Sequence, residues 1–293
     1  MNGRESSGVS EEWGAKLLID AGGNYIKYAL TGEDGALREE TFGEVPSCAE
    51  GSEEEILAVF RRVVEEAREK GSPTGCAVSI PDPFDYGTGT SLMQHKFKAL
   101  YGKSLMPLFR QAGLEASFVQ DTVAYILGEY EAGTFGQAVR PCLITLGTGV
   151  GFARMERGRV VVNGNRVPVP IVWNAPYETG ITEDYVSTRA IQDRYQPGLS
   201  VREIADRARR GDERAAAAFR ETGKHLSRIL NGLTRSLNSD LTVIGGQIAK
   251  SLDLFDLRTE VPFLRAANLD DAALRGLNAW LKLGQENCLM KES

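Results

Sequence analysis

The sequence predicts an α/β protein of two lobes with duplicated sheet domains and a central cleft, and three observations carry that prediction. A strand, a glycine turn, a strand, a second turn and a third strand run through residues 16–42, and the same succession returns at residues 143–162. Internal repetition of this kind marks a duplicated architecture. Amphipathic helical stretches alternate with short apolar, strand-like segments along the rest of the chain. The composition of the 293 residues, 42% hydrophobic, 25% charged and 8% aromatic, is that of an ordinary globular protein able to bury a core without disulfides.

Each element follows from local chemistry. Residues 16–30 alternate apolar and polar side chains around Gly22 and Gly23, residues 32–35 turn, and residues 36–42 extend again. Ser52-x-x-Glu55 is a capping box for a helix to Lys70, with Ile56, Phe60, Val63, Val64 and Ala67 on one face and Gly71 past its end. Residues 76–80 read as a short buried strand broken by Pro81-Asp82-Pro83, and the weakly periodic residues 84–102 as a functional loop region. Residues 105–112 are expected to be helical, 116–119 extended and 122–131 helical, which exposes the Asp121 carboxylate at a strand-to-helix junction.

The repeat then places strands at 143–146, 152–155 and 159–162 around the turn Gly147-Thr148-Gly149-Val150-Gly151. Ser200-x-x-Glu203 caps another helix, and residues 214–237 carry Phe219, Leu226, Ile229, Leu230, Leu233 and Leu237 at helical spacing. A strand at 241–244 leads into Gly245-Gly246 and a helix-like stretch at 248–252, and residues 272–283 close the chain as a helix. The expected lobes are residues 14–120, with residues 272–293 packing back on them, and residues 121–271.

Bulk properties exclude several functions. The net charge is −6, and the densest basic run, Arg207, Arg209, Arg210 and Arg214, is interrupted by Asp212 and Glu213. Nucleic acid is therefore not an expected partner. Cys48, Cys76, Cys142 and Cys288 lie far apart with no Cys-x-x-Cys pair, which argues against a zinc knuckle or disulfide framework and for a reduced, cytoplasmic setting. The polar first 14 residues lack the apolar core of a signal peptide, and no apolar run is long enough for a bilayer, so no membrane partner is expected.

The chemistry is concentrated in a few motifs. Asp20-Ala21-Gly22-Gly23-Asn24 falls at a hairpin tip, where glycines let backbone N–H groups approach phosphate oxygens and a carboxylate can hold hydrated Mg²⁺. The plain alternative is a tight turn that needs positive φ. The Gly147 loop has Gly-x-Gly-x-Gly spacing and runs into a strand, where a dinucleotide-binding unit needs a helix. Two such loops point to a phosphotransferase that grips the phosphates of ATP. Gly245 and Gly246 would let an adenine or ribose lie against backbone, the plain alternative being close helix–strand packing. Asp121 is the candidate general base, because attack of a hydroxyl on a γ-phosphate needs a carboxylate within hydrogen-bond reach. A plain helix N-cap is its alternative.

Taken in order, Asp20-Ala21-Gly22-Gly23, Gln120-Asp121 before a helix ending Gly128-Glu129, residues 146–151, Glu183-Asp184-Tyr185-Val186-Ser187 and Ile244-Gly245-Gly246 resemble the successive signatures of the ROK family of sugar kinases and repressors. The resemblance spans nearly the whole chain. It implies the actin-like ATPase (ribonuclease H-like) fold and a bacterial-type carbohydrate kinase that uses ATP and Mg²⁺, with Asp121 as base. It further implies phosphate loops at Asp20, Gly22, Gly23, Asn24 and Lys27 and at Gly147, Thr148 and Gly149. Asp20 would hold Mg²⁺ through water, and Gly245 and Gly246 would contact adenosine. Gln120, in place of the family's Asn, would bind the sugar together with Glu183, Asp82 and His95. A small-molecule sugar is the implied partner, and a homodimer is compatible with it.

The departures fall on sugar recognition. Residues 163–177 contain no histidine or acidic residue, so the family's Glu-x-Gly-His segment is missing, and so is the zinc-binding cysteine cluster expected before Glu183. No structural zinc is expected. Pro81-Asp82-Pro83 replaces a Pro-Gly-Pro and Asn24 a Thr, while Lys96, Asn165 and Trp173 are further candidates for contacting the acceptor. The dozen polar residues before the first strand offer no helix-turn-helix, so a DNA-binding repressor is not expected. A non-catalytic sugar or nucleotide sensor on the same fold is the alternative to a kinase, and a small-carboxylate kinase would need cations such as Lys96 or Arg166.

Overall fold

The computed structural model describes residues 14–292; the polar stretch before Gly14 and Ser293 lie outside the described residues. The chain divides into two compact units, one ending at Phe118 and one beginning at Val119.

The first unit opens with β1 (Lys16–Ala21), β2 (Tyr25–Thr31) and β3 (Leu37–Pro46), an antiparallel meander. Helix α1 (Glu53–Lys70) crosses to β4 (Gly75–Ile80), which pairs parallel to β1. Two short strands, β5 (Phe84–Asp85) and β6 (Thr90–Ser91), a 3-10 turn at Lys98–Leu100 and α2 (Met106–Gln111) precede β7 (Glu115–Gln120), and the sheet order is β3-β2-β1-β4-β7. Both halves of the Ser52/Glu55 capping box are formed, and Ile56, Phe60, Val63, Val64 and Ala67 are the buried face of α1. Phe60 meets Phe109 edge to face at 6.2 Å between ring centroids, and Phe109 meets Phe118 at 6.1 Å.

The second unit begins with α3 (Asp121–Glu131), followed by β8 (Pro141–Leu146), β9 (Val150–Glu156) and β10 (Arg159–Val162), again antiparallel neighbours. A small hairpin, β11 (Pro176–Tyr177) and β12 (Gly180–Ile181), leads into α4 (Glu183–Val186), α5 (Thr188–Tyr195), α6 (Val201–Arg209) and α7 (Glu213–Leu237). β13 (Leu241–Gly245), a 3-10 segment at Gln247–Leu254, β14 (Phe263–Arg265), α8 (Ala272–Leu283), α9 (Gln285–Cys288) and β15 (Leu289–Lys291) complete it. The sheet order is β14-β13-β8-β9-β10-β15, with β13 parallel to both β8 and β14. Ile144, Leu146, Phe219, Leu226, Leu230 and Ile244 lie in one core between sheet and helices.

The repeat read in the sequence is thus a repeat of topology. In each unit three antiparallel strands are followed, after a helical crossover, by a strand lying beside the first of them, and then by a fifth. The residues at 272–283 do form a helix, yet the chain does not close there: β15 adds a parallel edge to β10. Three residues are too few to show a strand period, so only the pairing reveals it.

Helix α8 lies against α3 at backbone contact. A Cβ on Gly128 would stand 2.0 Å from the Ala272 carbonyl oxygen, and one on Gly276 would stand 1.7 Å from the Ala124 carbonyl oxygen. Gly276→Ala is therefore expected to lower stability by about 1–3 kcal/mol or more, read as a drop in the thermal or urea unfolding midpoint. Gly232, mid-helix in α7 with nothing within 4 Å of its Cβ position, is the control: Gly232→Ala should stabilise by roughly 0.5–1 kcal/mol.

Candidate active site

In the first unit the Asp20 side chain is held between neighbouring strands. Register sets Asp20 opposite Lys27 on β2 and opposite Ser79 on β4. The Ser79 hydroxyl donates to Asp20 Oδ1 at 3.0 Å. Burial pushes the Asp20 carboxyl above the usual carboxylate range, while the Ser79 hydrogen bond and the Lys27 ammonium pull it down.

The β1–β2 tip is fastened from outside. Ser47 Oγ donates to the Gly23 carbonyl at 2.6 Å, and Ser47 N–H donates to the Asn24 carbonyl at 3.0 Å. Neither Gly22 nor Gly23 has positive φ, so the alternative of a turn that requires it does not hold. Close approach is the reason for both: a Cβ on Gly22 would stand 2.9 Å from the Tyr25 carbonyl oxygen, and one on Gly23 would stand 3.3 Å from Lys96 Cδ. Asp82 lies two residues past β4, and His95 is exposed and makes no hydrogen bond or ion pair among the described residues.

In the second unit Gln120, not Asp121, is the N-cap of α3: its Oε1 accepts from Val123 N–H at 2.9 Å. Asp121 is the first helical residue, and its Oδ1 accepts from Gln120 Nε2 at 2.6 Å, Thr122 N–H at 2.7 Å and Thr122 Oγ1 at 3.2 Å. The plain N-cap alternative for Asp121 thus falls to its neighbour, and the carboxylate orientation is fixed at a helix N-terminus that favours its charge.

The same helix draws the other motifs of this unit together. Thr122 Oγ1 lies 2.7 Å from the Cβ position of Gly151, so only glycine fits where the glycine loop enters β9. Glu183 Oε2 accepts from Val150 N–H at 3.0 Å and would lie 2.8 Å from a Cβ on Gly149. Gly147 has open space at its Cβ position. Gly245 and Gly246 meet protein: a Cβ on Gly245 would stand 2.8 Å from the Tyr125 hydroxyl, one on Gly246 2.3 Å from the Leu146 carbonyl oxygen, and Gly246 N–H donates to Tyr125 Oη at 3.1 Å. Close packing, the alternative weighed for this pair, is present in the fold, and Gly246 alone of the five motif glycines also needs positive φ, +80°.

Two supporting groups escape a reading of the sequence. Glu129, fully buried at the end of α3, accepts from Ala267 N–H at 2.8 Å, Asn268 N–H at 2.9 Å and Thr134 Oγ1 at 2.7 Å. In the sequence it shows only as the Gly128-Glu129 end of a motif, with nothing to set it apart from Asp121 and Glu131 of the same helix. The other is an aromatic cluster in which the Tyr177 hydroxyl and His225 Nδ1 are 3.0 Å apart and the Tyr185 ring lies 4.8 Å from the imidazole. It ties the β11–β12 hairpin and α4, which begins with Glu183, to α7. Burial, and then the Arg194 and Arg228 guanidiniums, depress the His225 pKa below its ordinary 6.5, with Glu221 and Glu178 opposing. Among the described residues no group of three or more His, Cys, Asp or Glu could hold a metal ion, and no helix is long and apolar enough to cross a membrane.

Two sheets of one topology with glycine hairpins at their first turns define the actin-like ATPase fold, and solved structures share it. The ROK family glucokinase from Streptomyces griseus, in complex with glucose and AMPPNP, superposes with a TM-score of 0.72 at 21% identity, over 92% of this chain and 100% of that one. A ROK family transcriptional regulator, a homolog of the E. coli MLC protein, superposes with a TM-score of 0.67 at 20% identity, over 90% of this chain and 80% of that one. In sequence, the N-acetylmannosamine kinase of Escherichia coli O139:H28 (strain E24377A / ETEC) is 25% identical over 248 residues, 79% of this chain and 82% of the relative. Residues 176–279 match the ROK family model. That segment of the chain is thus similar to the ROK family, the family that the order of its motifs resembles.

Two outcomes follow from this geometry. Gln120→Ala should cost about 0.5–2 kcal/mol, the worth of an N-cap, measured by equilibrium unfolding. Folded His225 resists a proton that the unfolded chain accepts, so its stabilising share is whole above its ordinary pKa of 6.5 and is lost as pH falls. Unfolding free energy should therefore decline from about pH 7.5 to about pH 5, and less steeply in His225→Gln.

Proposed function

We propose that the protein is an ATP-dependent sugar kinase that transfers the γ-phosphate of ATP to a hydroxyl of a hexose or amino sugar. The observation that carries this reading is the Asp121 carboxylate, oriented by Gln120 and Thr122 at the head of a helix whose Thr122 packs on the glycine loop. A carboxylate held by several donors keeps its rotamer, which suits a general base that must meet an acceptor hydroxyl. Gln120 acts through Asp121 as a positioning residue. Glu183, with Oε2 bound to Val150 N–H, has Oε1 left to accept from a sugar hydroxyl, with Asp82 and His95 as further sugar contacts.

The glycine hairpins, Asp20 to Asn24 with Lys27 and Gly147 to Gly149, serve the phosphates, and the backbone at Gly245 and Gly246, packed on its Cβ side against Tyr125 and Leu146, contacts the adenosine from its other side. Asp20 and its Ser79 partner fit a Mg²⁺ held through water and the phosphates themselves, since one carboxylate is no closed protein cage. When bound, MgATP supplies the phosphoryl group and spreads its charge. The relatives named above are a glucokinase and an N-acetylmannosamine kinase, so glucose and N-acetylmannosamine are the first acceptors to try. We place this activity in the cytoplasm, where the four free cysteines stay reduced.

A sensor reading is favoured by one observation, the likeness to a transcriptional regulator. ADP release measured over a panel of hexoses and N-acetylhexosamines separates the two. The kinase reading expects turnover with at least one sugar, and a fall in kcat of about a hundredfold to ten-thousandfold in Asp121→Asn with an unchanged melting temperature. No turnover on any sugar, together with sugar-induced thermal stabilisation, would leave the sensor standing.

A further inference from the structure

We propose that Lys96 is a phosphate-contacting residue for the donor nucleotide, its ammonium held in advance at the tip of the β1–β2 hairpin. The inference rests on the phosphotransferase reading of that hairpin and adds a cation to it. The Lys96 stem lies across Gly23: a Cβ there would stand 3.3 Å from both Cδ and Cε and 3.6 Å from Nζ. A side chain at position 23 would push it away.

The placement is built into the backbone. Phe97, next in the chain, is fully buried, and its N–H donates to the Ala49 carbonyl at 2.9 Å. Two residues before Ala49, Ser47 holds the Gly23 and Asn24 carbonyls. One short segment, 47–49, therefore anchors both the glycine tip and the lysine that crosses it, so the two keep their relative position.

Charge gives the occupant. Lys96 is half-buried, and among the described residues its ammonium has neither an ion-pair partner nor a hydrogen bond. Nearby lysines of the same unit are paired, Lys98 with Glu50 and Lys103 with Glu53. Ordering a long cationic side chain costs rotamer freedom, a cost that an arriving anion would offset. At this tip the anion meets glycine backbone and an ammonium, a combination that suits phosphate oxygens. An anionic acceptor such as a sugar carboxylate is the competing occupant.

Isothermal titration of the full chain decides between them, with MgATP, adenosine and inorganic tripolyphosphate as probes. Lys96→Met should weaken MgATP and tripolyphosphate by about tenfold to a hundredfold, the loss expected of one charge-assisted contact. Adenosine affinity and the ligand-free melting temperature should not move, and Lys96→Arg should restore most of the affinity. Unchanged MgATP affinity in Lys96→Met overturns the inference, and so does a raised KM confined to a carboxylate-bearing acceptor. A melting temperature lowered in Lys96→Met but not in Lys96→Arg assigns a structural role and overturns it too. A wild-type protein that binds neither MgATP nor tripolyphosphate removes the phosphotransferase reading as well.

Discussion

The backbone contact between α3 and α8 is the constraint on which the second unit turns. Gly128 and Gly276 let the two helices touch at carbonyl oxygens that no side chain could tolerate, which fixes α3 along its length. From that one rigid element, Gln120 and Thr122 orient Asp121, Thr122 packs on Gly151, Tyr125 meets Gly245 and Gly246, and Glu129 binds the backbone of Ala267 and Asn268. Motifs separated by more than a hundred residues are thereby registered to one helix. A loosened α3 would disturb all of them together, because close-packed interiors transmit strain. The buried Glu129 carboxylate adds directionality: three donors satisfy it, and a buried charge deprived of them is costly.

The two glycine hairpins share a topology but have diverged in electrostatics. In the first unit a lysine stem crosses Gly23, and in the second a carboxylate sits against Gly149 and Val150. Gly23 and Gly149 each lie against a charged side chain from elsewhere in their own unit that a Cβ would displace, whereas Gly22 faces the Tyr25 carbonyl and Gly147 faces open space. Backbone conformation does not call for glycine at these positions, since Gly22, Gly23, Gly147 and Gly149 all lie outside the positive-φ region. A glycine-rich tip that looks like a turn signal is here a platform for approach.

Polar residues inside apolar elements do the local tuning. Ser79 lies in a strand that is buried throughout, opposite Asp20, and its hydroxyl partly offsets the burial that raises the Asp20 pKa. His225 plays the matching part in the second unit, neutral because it is buried and flanked by arginines, and so able to pair with the Tyr177 hydroxyl. That cluster steadies the small hairpin from which Glu183 reaches the glycine loop. Support of this kind, one shell out from the candidate chemistry, is what keeps a flexible carboxylate in place.

Elements with a strong period or a strong cap were legible in the sequence. The Ser52 and Ser200 capping boxes, the long amphipathic α7, the glycine hairpins and the duplicated strand pattern all follow from spacing between residues close in the chain, where local geometry dominates. Gln120 and Asp121 were legible as a junction, but which of them caps α3 depends on side-chain geometry that spacing does not contain. The three-residue strands β14 and β15 were invisible because they are strands only by virtue of the neighbours they pair with. The grip of Glu129 on Ala267 and Asn268 and the approach of Lys96 to Gly23 span 138 and 73 positions respectively, distances over which no local rule operates. The sequence by itself determined the repeat, the order of motifs and the residue types that can do phosphate chemistry; tertiary packing alone decided which of those residues meet, since that requires the chain to bring distant backbone into contact.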